Sequence, residues 1–182
     1  MIKRPMDLIV TPHATIPHQG ILTASGREWL CALGRNGVTQ VKQEGDGATP
    51  TGCWPLRHVW VRQDRIETIS TGLPCSFIDP HQGWCDAPRD EHYNKPVRLP
   101  YPASTETMWR ADELYDVAVI IGYNDDPIVS EAGSAIFLHI AGEDLTPTEG
   151  CVALSREALL LLLPHLSVHS RIIIHNRNGS RK

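Results

Sequence analysis

Residues 137–154 hold the densest set of reactive side chains: Phe137-Leu138-His139-Ile140, a loop, then Thr148-Glu149-Gly150-Cys151-Val152-Ala153-Leu154. The thiolate, not the thiol, is the strong nucleophile, and a free cysteine of pKa about 8.5 is only a few per cent ionised at neutral pH. It needs a base. His139 ends an apolar stretch that a loop returns to Cys151, so imidazole and thiol can meet. Cys151 also lies upstream of Ser155, an expected helix start, whose dipole would favour a negative sulfur. Gly150 lacks a side chain, so the N–H groups of residues 150 and 151 can approach a developing oxyanion. Nucleophile, base and oxyanion donors are the minimum set for acyl transfer. His139 also needs a partner for its second ring nitrogen, and the carbonyl of Ile140 is a candidate. The plainer reading of Cys151 is a buried structural thiol, to which Cys31 is assigned, and Cys53, Cys75 and Cys85 are also read as structural.

Two other segments combine irregular backbone with reactive groups. Gly45-Asp46-Gly47-Ala48-Thr49-Pro50-Thr51-Gly52 is stiff at Pro50 and permissive at its glycines. Gly83-Trp84-Cys85-Asp86, followed by His92-Tyr93-Asn94, offers Trp84, Asp86, Tyr93 and Asn94 as one wall of a peptide cleft. Tyr123 and Asn124, after the apolar run from Val117, can border the same cleft. Ordinary packing, with Asx turns at Asn94 or Asn124, is the alternative. Arg62, Asp64, Arg65 and Glu67 read as a solvated turn.

Something must position these groups. Short β-rich runs alternate with turn signals, which predicts a mainly β domain of antiparallel sheets. Candidate strands are 8–10, 28–32, 38–42, 58–61, 116–122, 135–140 and 171–175. One helix is indicated: Ser155 caps it, Glu157 suits its first turn, residues 158–163 fill it, and Pro164 stops it. Its five successive leucines cover every face, so it should be buried. Residues 104–114 are a second helical stretch, and 177–182 form a polar, frayed tail.

The chain has 182 residues, enough for a single domain over 1–182 with one core. A net charge of -4 argues against nucleic acid as the main partner. No apolar run is long enough to span a membrane, and the first residues lack the apolar core of a signal peptide. The expected location is therefore cytoplasmic, or periplasmic if an export segment has been removed. Five cysteines without a Cys-x-x-Cys pair fit reduced thiols. The nine histidines show no metal-ligand spacing, so no metal and no other cofactor is expected.

Phe137-Leu138-His139 followed by Pro147-Thr148-Glu149-Gly150-Cys151-Val152-Ala153-Leu154 resembles the signature of the L,D-transpeptidase catalytic-domain (YkuD-type) family. Thr49-Pro50-Thr51-Gly52 resembles its upstream Thr-Pro-x-Gly element. The resemblance, spread over residues 8–176, implies a β-sandwich with one or two short helices and an open Cys-His cleft. It implies Cys151 as nucleophile, His139 as base and Gly150 in the oxyanion loop. The substrate would be a peptidoglycan stem peptide or muropeptide. Its L-centre diamino acid carbonyl is attacked and the terminal D-amino acid leaves. Two positions depart from the commoner Ser/Thr-His-Gly-Cys-x-Arg pattern: Glu149 stands for the histidine and Ala153 for the arginine. Only eleven residues separate His139 from Cys151. Arg156 is a candidate to replace the missing arginine contact. Thr148 and Glu149 are candidate substrate contacts, with Glu149 either binding a substrate ammonium or pairing with a nearby base. A charge on Glu149 beside the thiol would oppose thiolate formation and require an imidazolium at His139. Three activities follow: L,D-carboxypeptidase, L,D-transpeptidase, or a non-catalytic muropeptide binder.

Overall fold

Alternating apolar and polar residues in short runs, punctuated by glycine and proline, form strands here rather than helices. The structure, a computed structural model, describes residues 6–177. Its strands are β1 (Asp7–Pro12), β2 (Gln19–Ala24), β3 (Arg27–Ala32), β4 (Val38–Thr39), β5 (Thr49–Pro50), the long β6 (Gly52–Val61), β7 (Cys75–Phe77), β8 (Gln82–Cys85), β9 (Pro96–Arg98), β10 (Thr105–Thr107), β11 (Val117–Ile121), β12 (Phe137–Ile140), β13 (Val152–Leu154) and β14 (Arg171–Ile174). The α-helix is α1 (Arg156–Leu162). The expected mainly β, sandwich-like architecture is what forms.

The main sheet runs β11-β12-β13-β3-β2-β1-β14-β6-β7. Strand β6 is shared. Its first half pairs with β14 and its second half with β11, so the pairing closes into a ring around the core. Most neighbours are antiparallel, but β1–β14, β6–β7 and β12–β13 are parallel. The β2–β3 turn has positive φ at both Ser25 and Gly26, as a tight hairpin requires. A small sheet, β10-β8-β9, lies apart from this ring.

Strands β11 and β12 decide where the site sits, because they bury both faces. Val117, Val119, Ile121, Leu138 and Ile140 enter the main core with Leu22, Val152 and Leu159. Ala118, Ile120, Phe137 and Cys151 join a second cluster with Trp84, Met108 and Tyr115 from the region of the small sheet. The reactive side chains lie on this second side.

Four expectations need correction. Residues 104–114 are not helical: Thr105–Thr107 form β10 against β8, and the Asp112 carboxylate accepts the Leu114 N–H in an Asx turn. Pro164 does not stop α1 cleanly but lies inside a 3-10 turn over Leu163–His165. The leucines do not all bury: Leu159, Leu162 and Leu163 do, whereas Leu161 is 47% exposed. The solvated turn is only partly one, because Asp64 and Glu67 are exposed but the arginines are engaged. Arg62 is buried, lies 3.5 Å over the Trp109 ring and donates to Asp64, while Arg65 pairs with the buried Asp116. In the tail, Arg177 donates to the Ala14 carbonyl, and 178–182 fall outside the described residues.

The Ser155 hydroxyl accepts the Ala158 N–H at 3.2 Å and so caps α1. Ser155→Ala should lower stability by about 1 kcal/mol. Urea unfolding should show a lower midpoint with an unchanged slope.

Candidate active site

Parallel pairing of β12 with β13 sets Leu138 opposite Val152 and His139 opposite Ala153. Side chains alternate across a strand, so His139 and Ala153 point to one face, and Cys151, two residues before Ala153, points with them. His139 and Cys151 both line one cavity of about 610 Å³. Both are almost fully buried at its wall.

The imidazole is fixed. Nδ1 lies 2.8 Å from the Ile140 carbonyl, so this nitrogen carries the proton and Nε2 is left as the acceptor. The Tyr115 ring packs edge-on against it at 5.1 Å. Burial lowers the His139 pKa from 6.5 to about 4, against the opposing hydrogen bond to Ile140. Burial pushes the Cys151 thiol up to about 12, opposed by the Phe137 N–H and by Lys42, while Glu106 raises it further. At neutral pH the pair is therefore thiol and neutral imidazole, not thiolate and imidazolium. The sulfur sits between two backbone groups: the thiol donates to the Ala135 carbonyl at 3.2 Å, and the Phe137 N–H donates to Sγ at 3.3 Å.

The backbone beside the sulfur is held by two threonines. Thr148 Oγ1 donates to the Cys151 carbonyl at 2.7 Å and accepts the Gly150 N–H at 3.1 Å. Thr49 Oγ1 accepts the Gly34 N–H at 2.8 Å and reaches the same Cys151 carbonyl at 3.4 Å. Gly150 has φ +138, and a Cβ there would lie 2.9 Å from the Ala48 carbonyl. The Gly150 N–H is thus engaged by Thr148 rather than free for an oxyanion. The helix dipole does not contribute: β13 separates Cys151 from the Ser155 cap by about 13 Å of extended chain.

A sequence model of the family described as "L,D-transpeptidase catalytic domain" (YkuD) matches residues 17–174. The chain belongs to the L,D-transpeptidase catalytic-domain family. Similar solved structures include an L,D-transpeptidase from Mycobacterium tuberculosis H37Rv, with 12% identity and TM-score 0.41, covering 94% of this chain and 58% of that one. The L,D-transpeptidase from Mycobacterium smegmatis has 15% identity and TM-score 0.40, covering 94% and 59%. L,D-transpeptidase 3 from Mycobacterium tuberculosis in complex with a faropenem-derived adduct has 13% identity and TM-score 0.39, covering 93% and 60%. The present chain thus spans about three fifths of these chains. Comparison with curated proteins found no match.

In this L,D-transpeptidase-family chain, Thr148, Glu149 and Asp86 also line the cavity with Cys151 and His139. Glu149 is exposed and pairs with Arg35, so its observed role is the ion pair. The carboxylate bearing on the thiol is Glu106 instead. Arg156 is elsewhere: it pairs with Asp116 at 2.8 Å and is not on the cavity wall. Trp84, Tyr93, Asn94, Tyr123 and Asn124 act as supports rather than lining. Trp84 packs on Phe137 at 5.2 Å and donates its indole N–H to Asn94. Asn94 also accepts the Ala135 N–H and donates to the Tyr123 and Asn124 carbonyls. Tyr93 donates to Glu44, Tyr123 donates to the Ala132 carbonyl, and Asn124 closes its own loop on Val129 and Gly133. Among the described residues no group of three or more His, Cys, Asp or Glu side chains forms a metal site.

Sequence reading missed Lys42, Glu106, Arg110 and Tyr115, all on the cavity wall. Lys42 Nζ is buried and held 2.5 Å from Asp46. Arg110 is committed to Asp112 and Glu106. Of these, only Lys42 carried a usable signal, its place beside Asp46 at the start of the Gly/Pro/Thr loop.

The depressed His139 pKa has a defined effect on stability. Between pH 6.5 and about 4 the unfolded state binds a proton that the folded state refuses. This contribution is fully present above pH 6.5 and falls away as pH drops toward 4. Its size is on the order of 3 kcal/mol. Melting temperature should fall between pH 7 and 4, and His139→Gln should flatten that fall. An equal slope in both proteins would contradict the assignment.

Proposed function

We propose that this chain is a cysteine acyl-enzyme peptidase that removes the terminal D-amino acid from peptidoglycan stem peptides, an L,D-carboxypeptidase. The observation that carries this reading is the pair of Cys151 and His139 on one sheet face, opening into one cavity, with Nδ1 pinned and Nε2 left to accept. Family membership supports a peptidoglycan stem peptide as the substrate.

The thiol gives its proton to His139 Nε2 as Sγ attacks the carbonyl of the diamino acid. The oxygen becomes an oxyanion beside the Cys151 N–H. The C–N bond then breaks, and the leaving amine takes the proton from the imidazolium. A thioester remains. Water, deprotonated by His139, attacks it and releases the shortened peptide and the thiol. Supporting water as the acceptor is the cavity volume, about 610 Å³, in the range that holds one small ligand. A second stem peptide beside the first would need more room. Transfer to an amine shares the first half of this sequence, and the same experiment detects it.

Incubation with a disaccharide tetrapeptide, with and without free D-methionine, followed by mass spectrometry, should give mainly tripeptide and free D-alanine. Dominant D-methionine exchange would assign transfer instead. Unchanged turnover in Cys151→Ala would remove the proposal. His139→Ala should lower the rate by ~10²–10⁴. Because His139 titrates near 4, the acid limb of kcat/KM should lie near pH 4 and not near 6.5.

A further inference from the structure

Most charged groups around the cavity are already paired. Arg110 spends its guanidinium on Asp112 and Glu106. Glu44 accepts the hydroxyls of Tyr93 and Ser134. Glu149 pairs with Arg35. Two cavity-lining groups keep unspent capacity. Lys42, whose side chain is 3% exposed, donates to Asp46 Oδ1 at 2.5 Å and to the Gln43 carbonyl at 2.9 Å. An ammonium has three donors, so one remains. Asp86 is the complement: its Oδ1 is buried and has no hydrogen-bond partner among the described residues.

Both groups are placed by the fold beside the reacting centre. The Lys42 stem passes over two glycines. A Cβ at Gly133 would lie 2.8 Å from Lys42 Cγ, and one at Gly150 would lie 3.6 Å from Cε. The ammonium therefore ends near the Gly150–Cys151 peptide. Asp86 follows β8, where Trp84 pairs with Glu106 of β10. Two residues on, Asp86 shares the face of Trp84, whose ring meets Phe137 of β12. A buried carboxylate oxygen without a donor is costly, and a cationic ligand group removes that cost.

We infer that Lys42 and Asp86 are opposite charge-recognition residues for the donor peptide: Lys42 binds the free carboxylate of the leaving residue, and Asp86 binds the side-chain ammonium of the diamino acid. This rests on the proposed stem-peptide reading. It makes the site selective for peptides that end at the scissile residue and carry an unmodified amine.

The test measures binding by calorimetry in a Cys151→Ala background, so that cleavage is not needed. Three stem tetrapeptides are used: unmodified, C-terminally amidated, and acetylated on the side-chain amine. With Lys42 and Asp86 intact, each modification should weaken binding by about tenfold to a hundredfold. Adding Lys42→Met should erase the penalty for amidation and keep that for acetylation. Adding Asp86→Asn should do the reverse. Lys42→Arg, which keeps the charge, should keep both, and melting curves check that each protein is folded. Both penalties surviving in both variants, both vanishing together in a folded variant, or no binding of the unmodified peptide would each overturn the inference. Turnover by the native enzyme is measured separately. A crossover in binding with no turnover would sink the peptidase reading and leave the charge assignment standing.

Discussion

Desolvation of one thiol and one imidazole is the constraint around which this molecule is organised. Strands β11, β12 and β13 have both faces covered, so any polar group on them is removed from water. Cys151 and His139 lie on the side shared with Phe137, Ala118 and Tyr115, an apolar setting. Burial disfavours the charged form of each and holds both neutral. Hydrogen bonds then fix what burial alone would leave loose. The Ile140 carbonyl selects the imidazole tautomer, and the Phe137 N–H stays aimed at the sulfur whichever charge it carries.

Keeping that geometry requires supports from distant parts of the chain. Thr49 and Thr148 both reach the Cys151 carbonyl, and Thr148 is in turn held by Leu33 and Arg35 through backbone bonds. The Gly/Pro/Thr loop is thereby tied to the loop before the cysteine, and Asp46 organises it by accepting from Gln43, Ala48 and Lys42. On the other side Asn94 fixes Ala135, whose carbonyl receives the thiol proton. Asn94 stands at φ 55 with all four of its side-chain hydrogen bonds internal to the protein, so its conformation and its bonds reinforce each other.

Much of this was legible in the residues. The β class, β1, β11, β12, β14, the Ser155 cap and the cavity positions of Cys151, His139 and Asp86 followed from local pattern, and those of Thr148 and Glu149 from the family resemblance. What was not legible depended on pairing. Strand β2 has a glycine at its second position and no aromatic residue, so it carries little local signal, yet its Leu22 and Ala24 fill the core. Residues 104–114 have enough helix formers to mislead, but edge pairing of Thr105–Thr107 with β8 overrides them. Arg62 looked solvated because its charges are adjacent in sequence. Its burial depends on Trp109, far along the chain. Glu106, Arg110 and Tyr115 reach the cavity only because the small sheet faces β12, a tertiary fact with no local signature. The supports Trp84, Asn94 and Tyr93 read as lining for the same reason: sequence places them near the site but not on which side of its wall.

In the proposed reaction a neutral resting pair has to yield a nucleophilic sulfur, and the two backbone bonds to Sγ bear on how it would do so. The thiol proton points to Ala135, so it must turn away before His139 can receive it. The bond surrendered is a weak S–H donor to a carbonyl, whereas the Phe137 N–H bond to sulfur strengthens as negative charge develops. The environment thus opposes a free thiolate but not one formed as the C–S bond is made, when charge passes on to the carbonyl oxygen. In the proposed reaction that oxygen would meet the Cys151 N–H, and Lys42 is the cation whose charge favours the ionised sulfur. Glu106 works against it, and its own charge is offset by Arg110. A permanently ionised thiol would be reactive toward any electrophile that entered. A thiol ionised only in the presence of a positioned carbonyl confines reaction to bound substrate.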